Sequence, residues 1–554
     1  MQQKAYGTWA SPITAATVAA QGIRLSSVSV DGDDIYWIEG RPQEGGRNVV
    51  VRRLPDGSTA DATPADFNAR TRVHEYGGGA CLVSGGVIYA SNFSDQQLYR
   101  IEASRSGEPV PITPAGRWFY ADATLDERRR RLIAVREDHS DPDHEPVNTL
   151  VSISIDGPAS AGEVIASGFD FYSTPRLSPD ASRLAWLAWR HPRMPWDGTE
   201  LWVADVTERG TIVRATRVAG GDAESIYQPG WTPDGQLYFV SDRDGWWKLY
   251  RCDQTAPVVV NAPRGAEFGR PQWVFGSASW APAGAGRLLV SYTTAGRWHL
   301  GLVDTTSGRL SPLAEGLEPR EWMTATDTHA VAVAGSASTP DAVIRVEFAT
   351  GASESIKSSS SLSVAESLLS TPESVEFPSR DGSTAHAFYY PPRSDDHSAP
   401  DGQRPPLILI SHGGPTTATS ATLDLRVQFW TSRGFAVADV NYSGSSGFGR
   451  AYRQRLNGQW GILDVDDMAA AAAFLVAAGK ADPNRLAIRG GSAGGYTTLA
   501  ALTFRPGVFQ AGASYYGVSD IEVLARDTHK FESRYLDTLV GPYPAARDVY
   551  RARS

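Results

Sequence analysis

Short apolar runs, each closed by a polar turn, recur along the chain up to about residue 350. Within each run, β-branched and aromatic residues alternate with polar ones or form a brief apolar stretch, and helical periodicity is absent. The pattern can be marked seven times, at Val28–Leu54, Tyr76–Glu102, Phe119–Asp156, Tyr172–Val206, Gln228–Asp253, Ser277–Asp304 and Trp322–Phe348. Successive copies begin about 50 residues apart, which is typical of four-stranded propeller blades.

This repeat predicts a β-propeller over residues 25–355, preceded by an N-terminal arm over residues 1–24. Turn chemistry supports the repeat, because SPDA at 178–181 and TPDG at 232–235 occupy the same place in two copies. Proline presets φ for a turn, and glycine accepts a positive φ. We expect seven blades, while six or eight stay open and a solenoid or sandwich is the competing fold. A propeller alone indicates a binding scaffold and no catalysis.

A different pattern follows a serine-rich stretch, which predicts a linker over residues 356–372. From residue 373 onwards, short apolar strands such as Leu407–Ile410 and Arg485–Arg489 alternate with helical segments such as Asp464–Ala478. Alternation of strands and helices is typical of a parallel α/β sheet. The sequence therefore predicts a second domain over residues 373–554.

Charge and composition narrow the function classes. A formal charge of −10 disfavours a nucleic-acid partner, which requires a basic face. The basic run Arg128–Arg131 is interpreted as a solvated hairpin tip.

Cys81 and Cys252 lie in strand-like segments and are expected to be buried thiols rather than a disulfide framework. The N-terminus lacks the continuous apolar core of a secretory signal, and no stretch is long and apolar enough to span a membrane, so we expect a cytoplasmic protein.

The motif that carries chemistry is Gly490-Gly491-Ser492-Ala493-Gly494-Gly495, between a predicted strand and a predicted helix. Gly-x-Ser-x-Gly alone is a weak signal, but in this context it indicates a nucleophile elbow. The sharp turn exposes the serine hydroxyl above the sheet, and small neighbours prevent collisions. We therefore predict that Ser492 is a nucleophile. The alternative is an ordinary glycine-rich turn.

A second motif, HGGP at 412–415, directly follows the strand Leu407–Ile410. An oxyanion hole in this fold takes one amide from the residue after the nucleophile and one from a loop after an earlier strand. Ala493 supplies the first amide, and Gly413 or Gly414 the second, with Gly414 as our assignment. A plain Gly-Pro turn is the alternative, and His412 is expected to be structural.

GGSAGG, HGGP and the loop NYSGSSGFGRAY at 441–452 occur in this order in the prolyl oligopeptidase family, which the chain resembles. The segments VHEYGGGA at 73–80 and DTHKFESRYLDTLVGPYP at 527–544 resemble its bacterial acylaminoacyl-peptidase-like branch. The resemblance covers essentially the whole chain. It implies a β-propeller followed by an α/β-hydrolase domain, and a serine peptidase that forms an acyl-enzyme on Ser492. The implied substrates are short peptides or acyl-aminoacyl amides, because in relatives the propeller excludes folded proteins.

The resemblance also implies a substrate pocket. In relatives, the segment after the tyrosine-rich strand forms the wall of this pocket, and here that wall would consist of Val518, Ile521 and Leu524. Ordinary helix core is the alternative. Dipeptidyl peptidases hold a free N-terminus with paired acidic residues, and no Glu-Glu pair exists in this chain. The weaker acidic candidates are Glu75, Glu137, Asp138 and Glu224. We therefore favour a blocked or short amide substrate.

A serine nucleophile needs a histidine base and an acid that orients it. Relatives place both beyond the position that corresponds to residue 554, so the resemblance implies a hydrolase domain without its last strands and helices. His529 is the only histidine after Ser492 and is not expected to be the base. Three explanations stay open: a fragment of a longer chain, a site completed by a second chain, or an inactive truncated protein that binds partners. A homo-oligomer also stays open. We predict no metal or cofactor, because the sequence contains no HExxH, Walker loop or paired CxxC.

Overall fold

The computed structural model describes residues 1–19, 22–103, 107–253, 258, 260–361 and 364–554. Positions 20 and 21 of the predicted arm and positions 362 and 363 of the predicted linker lie outside the described residues. The arm contains strand β1 (Gln2–Gln3) and helix α1 (Ala15–Ala19). No helix of the described chain is both long and apolar enough to cross a membrane.

Seven antiparallel sheets follow the arm, and each places its described strands in sequence order. The strands of the first four sheets are β2 (Arg24–Asp31), β3 (Asp34–Arg41), β4 (Arg47–Arg53) and β5 (Thr59–Asp61); β6 (Cys81–Ser84), β7 (Val87–Ser91), β8 (Leu98–Glu102) and β9 (Val110–Pro111); β10 (Trp118–Asp126), β11 (Arg131–Asp138), β12 (Val147–Ser154) and β13 (Glu163–Ala166); and β14 (Phe171–Leu177), β15 (Arg183–Trp189), β16 (Glu200–Val206) and β17 (Ile212–Gly220). The strands of the other three are β18 (Ile226–Trp231), β19 (Leu237–Ser241) and β20 (Lys248–Arg251); β21 (Trp280–Pro282), β22 (Arg287–Thr294), β23 (Arg297–Asp304) and β24 (Leu310–Leu313); and β25 (Glu318–Ala325), β26 (His329–Gly335), β27 (Ala342–Glu347) and β28 (Ser353–Ser358).

These sheets are the blades of a seven-bladed β-propeller, which confirms the predicted fold and blade number. The first strand of the first blade, β2, packs against the first strand of the last blade, β25, and thereby closes the ring. The second strands carry the most continuous burial, as in β15 and β22, because each is covered on both faces by neighbouring blades. Their largely apolar sequences, such as RLAWLAW in β15, follow from that position.

The second domain is built on a mixed six-stranded sheet. Its strands are β29 (Glu373–Pro378), β30 (Thr384–Tyr390), β32 (Leu407–Ser411), β33 (Ala436–Asn441), β34 (Leu486–Gly491) and β35 (Ala511–Tyr515). The short strand β31 (His397–Ser398) lies outside this sheet and pairs with β1 of the arm. The order is β29-β30-β33-β32-β34-β35, with parallel pairing from β33 to β35. This architecture is an α/β-hydrolase domain, as predicted.

Seven helices belong to the described part of this domain: α2 (Leu425–Thr431), α3 (Arg450–Gln454), α4 (Leu463–Ala477), α5 (Ala493–Phe504), α6 (Ile521–Asp527), α7 (Tyr535–Leu539) and α8 (Arg547–Arg553). Helices α4 and α5 pack against each other and against the sheet. Gly479 follows α4 with φ 73°, a conformation that glycine adopts readily at a helix C-terminus. Helix α5 begins directly after Ser492, so the sheet and this helix fix the position of that serine.

Two of the predicted details differ from the structure. The last propeller strand, β28, extends past residue 355 into the segment predicted as linker, because residues 353–358 pair with β27. The basic run 128–131 lies at a turn but is not simply solvated: Arg129 and Arg131 both pair with the buried Asp126, and Arg131 is itself buried. The thiols of Cys81 and Cys252 are free and partly buried.

The two domains share one continuous core and a set of polar contacts. Arg450 and Arg453 of α3 both pair with Asp242 of the propeller, at 2.5 Å each. Glu267 accepts a hydrogen bond from the Gly449 amide at 3.0 Å, and burial raises the pKa of Glu267. Asp242 and Arg453 are buried, so this ion pair fixes the propeller to the hydrolase domain within the interior of the protein.

Candidate active site

Ser492 lies on a sharp bend between β34 and α5. Its backbone adopts φ 53° and ψ −123°, a region that non-glycine residues rarely occupy. The Ser492 amide donates to Tyr515 O at 3.1 Å, and Ser492 O accepts from the Tyr496 amide, so both neighbours hold the bend. The side chain of Ser492 is exposed. This is the geometry predicted for a nucleophile elbow.

The small residues around the bend are required by close backbone approach. A Cβ atom on Gly494 would lie 2.1 Å from Ser411 O, and one on Gly490 would lie 2.2 Å from Gly494 O. Ser411 at the end of β32 also donates its hydroxyl to Gly494 O at 2.7 Å. The first turn of α5 is therefore pressed against the end of β32, where the HGGP loop begins.

Backbone donors surround the serine. No hydrogen bond among the described residues uses the amides of Ala493, Gly413 or Gly414. A Cβ atom on Gly413 would lie 3.6 Å from Ser492 Cβ, so this loop directly abuts the serine. Ala493 opens α5, where amides have no intrahelical acceptor. The structure thus brings together the predicted serine and both predicted sources of oxyanion donors.

Ser492 opens into a cavity of about 70 Å³. The residues that line the cavity are Gly414, Pro415, Trp460, Ser492, Ala493, Val518, Leu524, Thr528, Glu532, Tyr535, Leu536 and Leu539. Two of the three residues predicted for the pocket wall are among them, Val518 and Leu524. The structure does not bring the third, Ile521, to the cavity lining, because its side chain is fully buried in the core.

Neither nearby histidine contacts the serine hydroxyl. His412 shares hydrogen bonds with Gly413 O at 2.8 Å and with the Ser445 hydroxyl at 2.7 Å, and its ring stacks on Tyr442. Burial lowers the pKa of His412 to about 4, which suits a neutral ring that positions the loop. His529 Nε2 lies 3.7 Å from the carboxylate of Glu532. No hydrogen bond within the described chain reaches Ser492 Oγ.

The acidic residues that the sequence suggested for amine recognition are engaged elsewhere. Their partners are Arg72 for Glu75, the His74 amide for Glu137, the Ser140 amide for Asp138, and Arg243 for Glu224. None of these four carboxylates lines the cavity of Ser492. The structure therefore does not bring them to the site.

Sequence reasoning missed several residues of the cavity. Glu532, Tyr535, Leu536 and Leu539 all come from the segment 527–544, whose resemblance to relatives was noted without a role. Tyr535 shares a hydrogen bond with the Thr416 hydroxyl at 2.6 Å, which ties this segment to the HGGP loop. The recurrence of apolar residues within this segment was the one feature of the sequence that could have indicated a role in the cavity wall.

The propeller completes the surroundings of the site. Trp273 donates its indole N–H to Thr416 O at 2.7 Å, and its ring lies against Tyr535. Tyr76 donates its hydroxyl to Glu532 at 2.7 Å. The fold and the site together define the class of the protein: it is an α/β-hydrolase in which the sharp bend at Ser492 faces a β-propeller.

Comparisons with known proteins identify the family within that class. The family model described as "Prolyl oligopeptidase family" matches residues 421–554. Solved structures of puromycin hydrolase and of a puromycin-hydrolyzing peptidase from Mycobacterium tuberculosis are 38% and 40% identical to the chain, each with a TM-score of 0.94 over 100% of it and 86% of the solved chain. Dipeptidyl aminopeptidase BIII from Pseudoxanthomonas mexicana is 36% identical over 168 residues, which are 30% of this chain and 24% of that protein. The chain thus matches about a quarter of this curated relative.

The chain belongs to the prolyl oligopeptidase family of serine peptidases. The predicted resemblance is therefore confirmed, with neighbours that extend over the propeller as well as the hydrolase domain.

Proposed function

We propose that the protein hydrolyses short peptides or acyl-aminoacyl amides through an acyl-enzyme on Ser492. The observation that carries this proposal is the exposed hydroxyl of Ser492 beside the free amides of Ala493 and Gly414, at the mouth of an apolar cavity. Preorganised donors at the developing oxyanion are a large contribution to catalysis in acyl transfer.

In this mechanism, Ser492 Oγ attacks the substrate carbonyl carbon and loses its proton to a general base. The amides of Ala493 and Gly414 donate to the oxyanion of the tetrahedral intermediate. The C–N bond then breaks, and the base returns the proton to the leaving amine. Water attacks the resulting ester, releases the acid product and restores the Ser492 hydroxyl.

The base and its orienting acid are proposed to come from polypeptide other than these 554 residues, either a continuation of the chain or a second chain. Two observations support this. No described residue donates to or accepts from Ser492 Oγ, and His412 is already held by two partners. All five residues of β35 at the sheet edge are exposed, and Tyr516 beside them is 85% exposed. An open edge of this kind is normally paired or covered.

The expected substrates are small and apolar next to the cleaved bond. Val518, Leu524 and Leu539 line the cavity and suit an apolar side chain. Puromycin, an amide of O-methyltyrosine, is a suitable probe, because two solved structures that resemble the chain at 38% and 40% identity are named for its hydrolysis. Tyr76 and Trp273 bring the propeller to the rim of the site and restrict the approach of folded proteins.

The test is hydrolysis of a panel of puromycin, leucine p-nitroanilide and N-acetyl-leucine p-nitroanilide by the protein purified with any polypeptide that accompanies it. We expect release of amine from at least one of them by the wild type, and at least a 1000-fold lower rate for Ser492→Ala, because loss of the nucleophile leaves only binding and the oxyanion hole. A matched control is Ser533→Ala, a nearby serine that does not line the cavity. A Ser492→Ala variant as active as the wild type would contradict the proposal.

A second candidate is a catalytically inactive protein that binds peptides. The unpartnered Ser492 hydroxyl within the described chain favours this alternative. It predicts that the wild type hydrolyses no member of the panel and yet binds short peptides in the cavity.

A further inference from the structure

A second cavity, of about 210 Å³, lies between the propeller and the hydrolase domain. Its polar lining includes Arg270, Thr293 and Glu321 from the propeller and Thr417, Ser420 and Ser446 from the hydrolase domain. Among the described residues, this interdomain cavity shares no lining residue with the cavity of Ser492. It is smaller than the pockets of about 300–1,000 Å³ that hold drug-sized molecules, so it suits a small ligand.

The guanidinium group of Arg270 lacks a carboxylate partner. Its Nη2 donates to Pro319 O at 2.8 Å, whereas its Nε is shielded from water and has no hydrogen-bond partner among the described residues. Its Cζ lies 3.3 Å from the centroid of the Trp298 ring. Burial lowers the pKa of Arg270 to about 10, and no salt bridge within the described chain offsets this cost. An anionic group in the cavity would therefore gain a charge-assisted hydrogen bond from Arg270.

A carboxylate lines the same cavity but does not pair with Arg270. Glu321 lies in β25, and within the described chain its side chain takes part in no hydrogen bond or salt bridge. Its charge raises the pKa of Arg270 and so opposes the effect of burial, but the two groups are too far apart for a salt bridge. The neighbouring Arg320 is engaged elsewhere, pairing with Asp341 at 2.9 Å and donating to the Ser420 hydroxyl at 3.0 Å. Arg270 and Glu321 are thus opposite charges beside one cavity, and neither is neutralised by direct contact.

Apart from these charged groups, the lining of the interdomain cavity is neutral. Thr293 is fully buried, and its hydroxyl has no hydrogen-bond partner among the described residues, although buried polar groups of folded proteins are nearly always paired. Trp273, Val274 and Trp298 contribute apolar and aromatic surface. The cavity therefore combines a cation, an anion and a hydroxyl with a wall that suits an uncharged side chain.

We propose that the interdomain cavity binds a free α-amino acid, whose carboxylate contacts Arg270 and whose ammonium group contacts Glu321. A ligand with both charges compensates both side chains at once, whereas a simple anion leaves Glu321 unpaired and a simple cation leaves Arg270 unpaired. Because both domains line the cavity, the ligand also bridges the propeller and the loop at residues 417–420. The binding does not depend on the chemistry proposed for Ser492.

Calorimetry on the protein, purified with any polypeptide that accompanies it, tests this site with glycine, leucine and phenylalanine. We expect saturable binding of at least one of them. Its N-acetyl derivative, which lacks the ammonium group, and its amide, which lacks the carboxylate, should each bind at least tenfold more weakly. Arg270→Gln and Glu321→Gln should each weaken binding of the free amino acid at least tenfold, as for a charge pair that loses one partner.

The matched controls are Arg345→Gln and Glu347→Gln, which remove the same two charges from a pair at 2.7 Å that does not line the cavity. Both controls should bind the amino acid like the wild type. Glu321→Gln is expected to fold, because its side chain has no polar partner to lose within the described chain. The amino acid should also raise the melting temperature of the wild type and of both controls, since a ligand of the folded state stabilises it, but not that of Arg270→Gln or Glu321→Gln.

Three results would overturn the inference. One is the absence of binding for all three amino acids. Another is equal binding of the free amino acid and its N-acetyl or amide form, because a single charge then suffices. The third is binding that Arg270→Gln and Glu321→Gln leave unchanged, because the amino acid then occupies another part of the protein.

Discussion

At the scale of single residues, Ser492 is held in a conformation that costs about 1–3 kcal/mol. Its φ of 53° persists because the backbone of β34 and α5 fixes both sides of the bend, and because Gly494 lets α5 approach Ser411. The sequence predicted the bend at this residue, since Gly-x-Ser-x-Gly between a strand and a helix requires such a bend. It could not predict which face of α6 meets the cavity, and the structure buries Ile521 in the core instead of placing it in the cavity lining.

A second residue-scale feature is a buried carboxyl group beside the loop that follows HGGP. Asp439 of β33 accepts a hydrogen bond from the Thr419 hydroxyl, and its other oxygen is buried without a partner among the described residues. Burial raises the pKa of Asp439 from 3.8 to about 7. The folded protein therefore keeps this proton at pH values where the unfolded chain has lost it.

We predict that Asp439→Asn raises the melting temperature, and more so at pH 8 than at pH 5. The stabilisation linked to the protonated Asp439 is complete below about pH 4 and decreases as the pH rises to about 7, because only the unfolded chain is ionised in that range. Asparagine at this position cannot ionise, so the variant does not lose this part of the stabilisation as the pH rises. A gain of about 1 kcal/mol corresponds to roughly 2–4 °C, and thermal denaturation at both pH values measures it.

The control for this prediction is Asp381→Asn. Asp381 lies at the exposed turn between β29 and β30, where the Ser383 hydroxyl lowers its pKa. This substitution should give no gain at pH 8. A gain for Asp439→Asn that is larger at pH 5 than at pH 8 would show that Asp439 is ionised in the folded protein.

At the scale of elements, α3 connects the hydrolase domain to the fifth blade. Arg453 is 3% exposed and Asp242 is 1% exposed, so this ion pair lies in the protein interior. The guanidinium of Arg453 also lies over the ring of Trp247 at 4.1 Å. The repeat of apolar strands along the chain predicted the blade that carries Asp242. The sequence contained no signal for the ion pair between Asp242 and Arg453, because the two residues are 211 positions apart.

We predict that Asp242→Asn lowers the free energy of unfolding by about 3–5 kcal/mol, because it leaves two guanidinium groups without their buried partner. It should also let the propeller and the hydrolase domain melt separately, which differential scanning calorimetry would detect as two transitions. The control Asp244→Asn removes a carboxylate that is 43% exposed and pairs with Lys248. Its effect should be about 0–1 kcal/mol, and an equal effect of both substitutions would contradict the role assigned to Asp242.

At the scale of the whole molecule, the site is formed where the two domains meet. Both domains were predictable, because a repeat of apolar strands indicates blades and strand–helix alternation indicates an α/β sheet. The contacts between them were not predictable: Tyr76 and Glu532 are 456 positions apart, and only the docked propeller brings them together. Local periodicity carries information about elements, whereas such a contact depends on how whole domains pack.

The central claim is that Ser492 is the nucleophile of a serine peptidase, and covalent labelling tests it most directly. The protein, purified with any polypeptide that accompanies it, would be treated with a fluorophosphonate and the adduct located by peptide mass spectrometry. The account predicts a single phosphonylated residue, Ser492, and no adduct in Ser492→Ala. An unlabelled wild-type protein, or an adduct at another serine that persists in Ser492→Ala, would contradict the account.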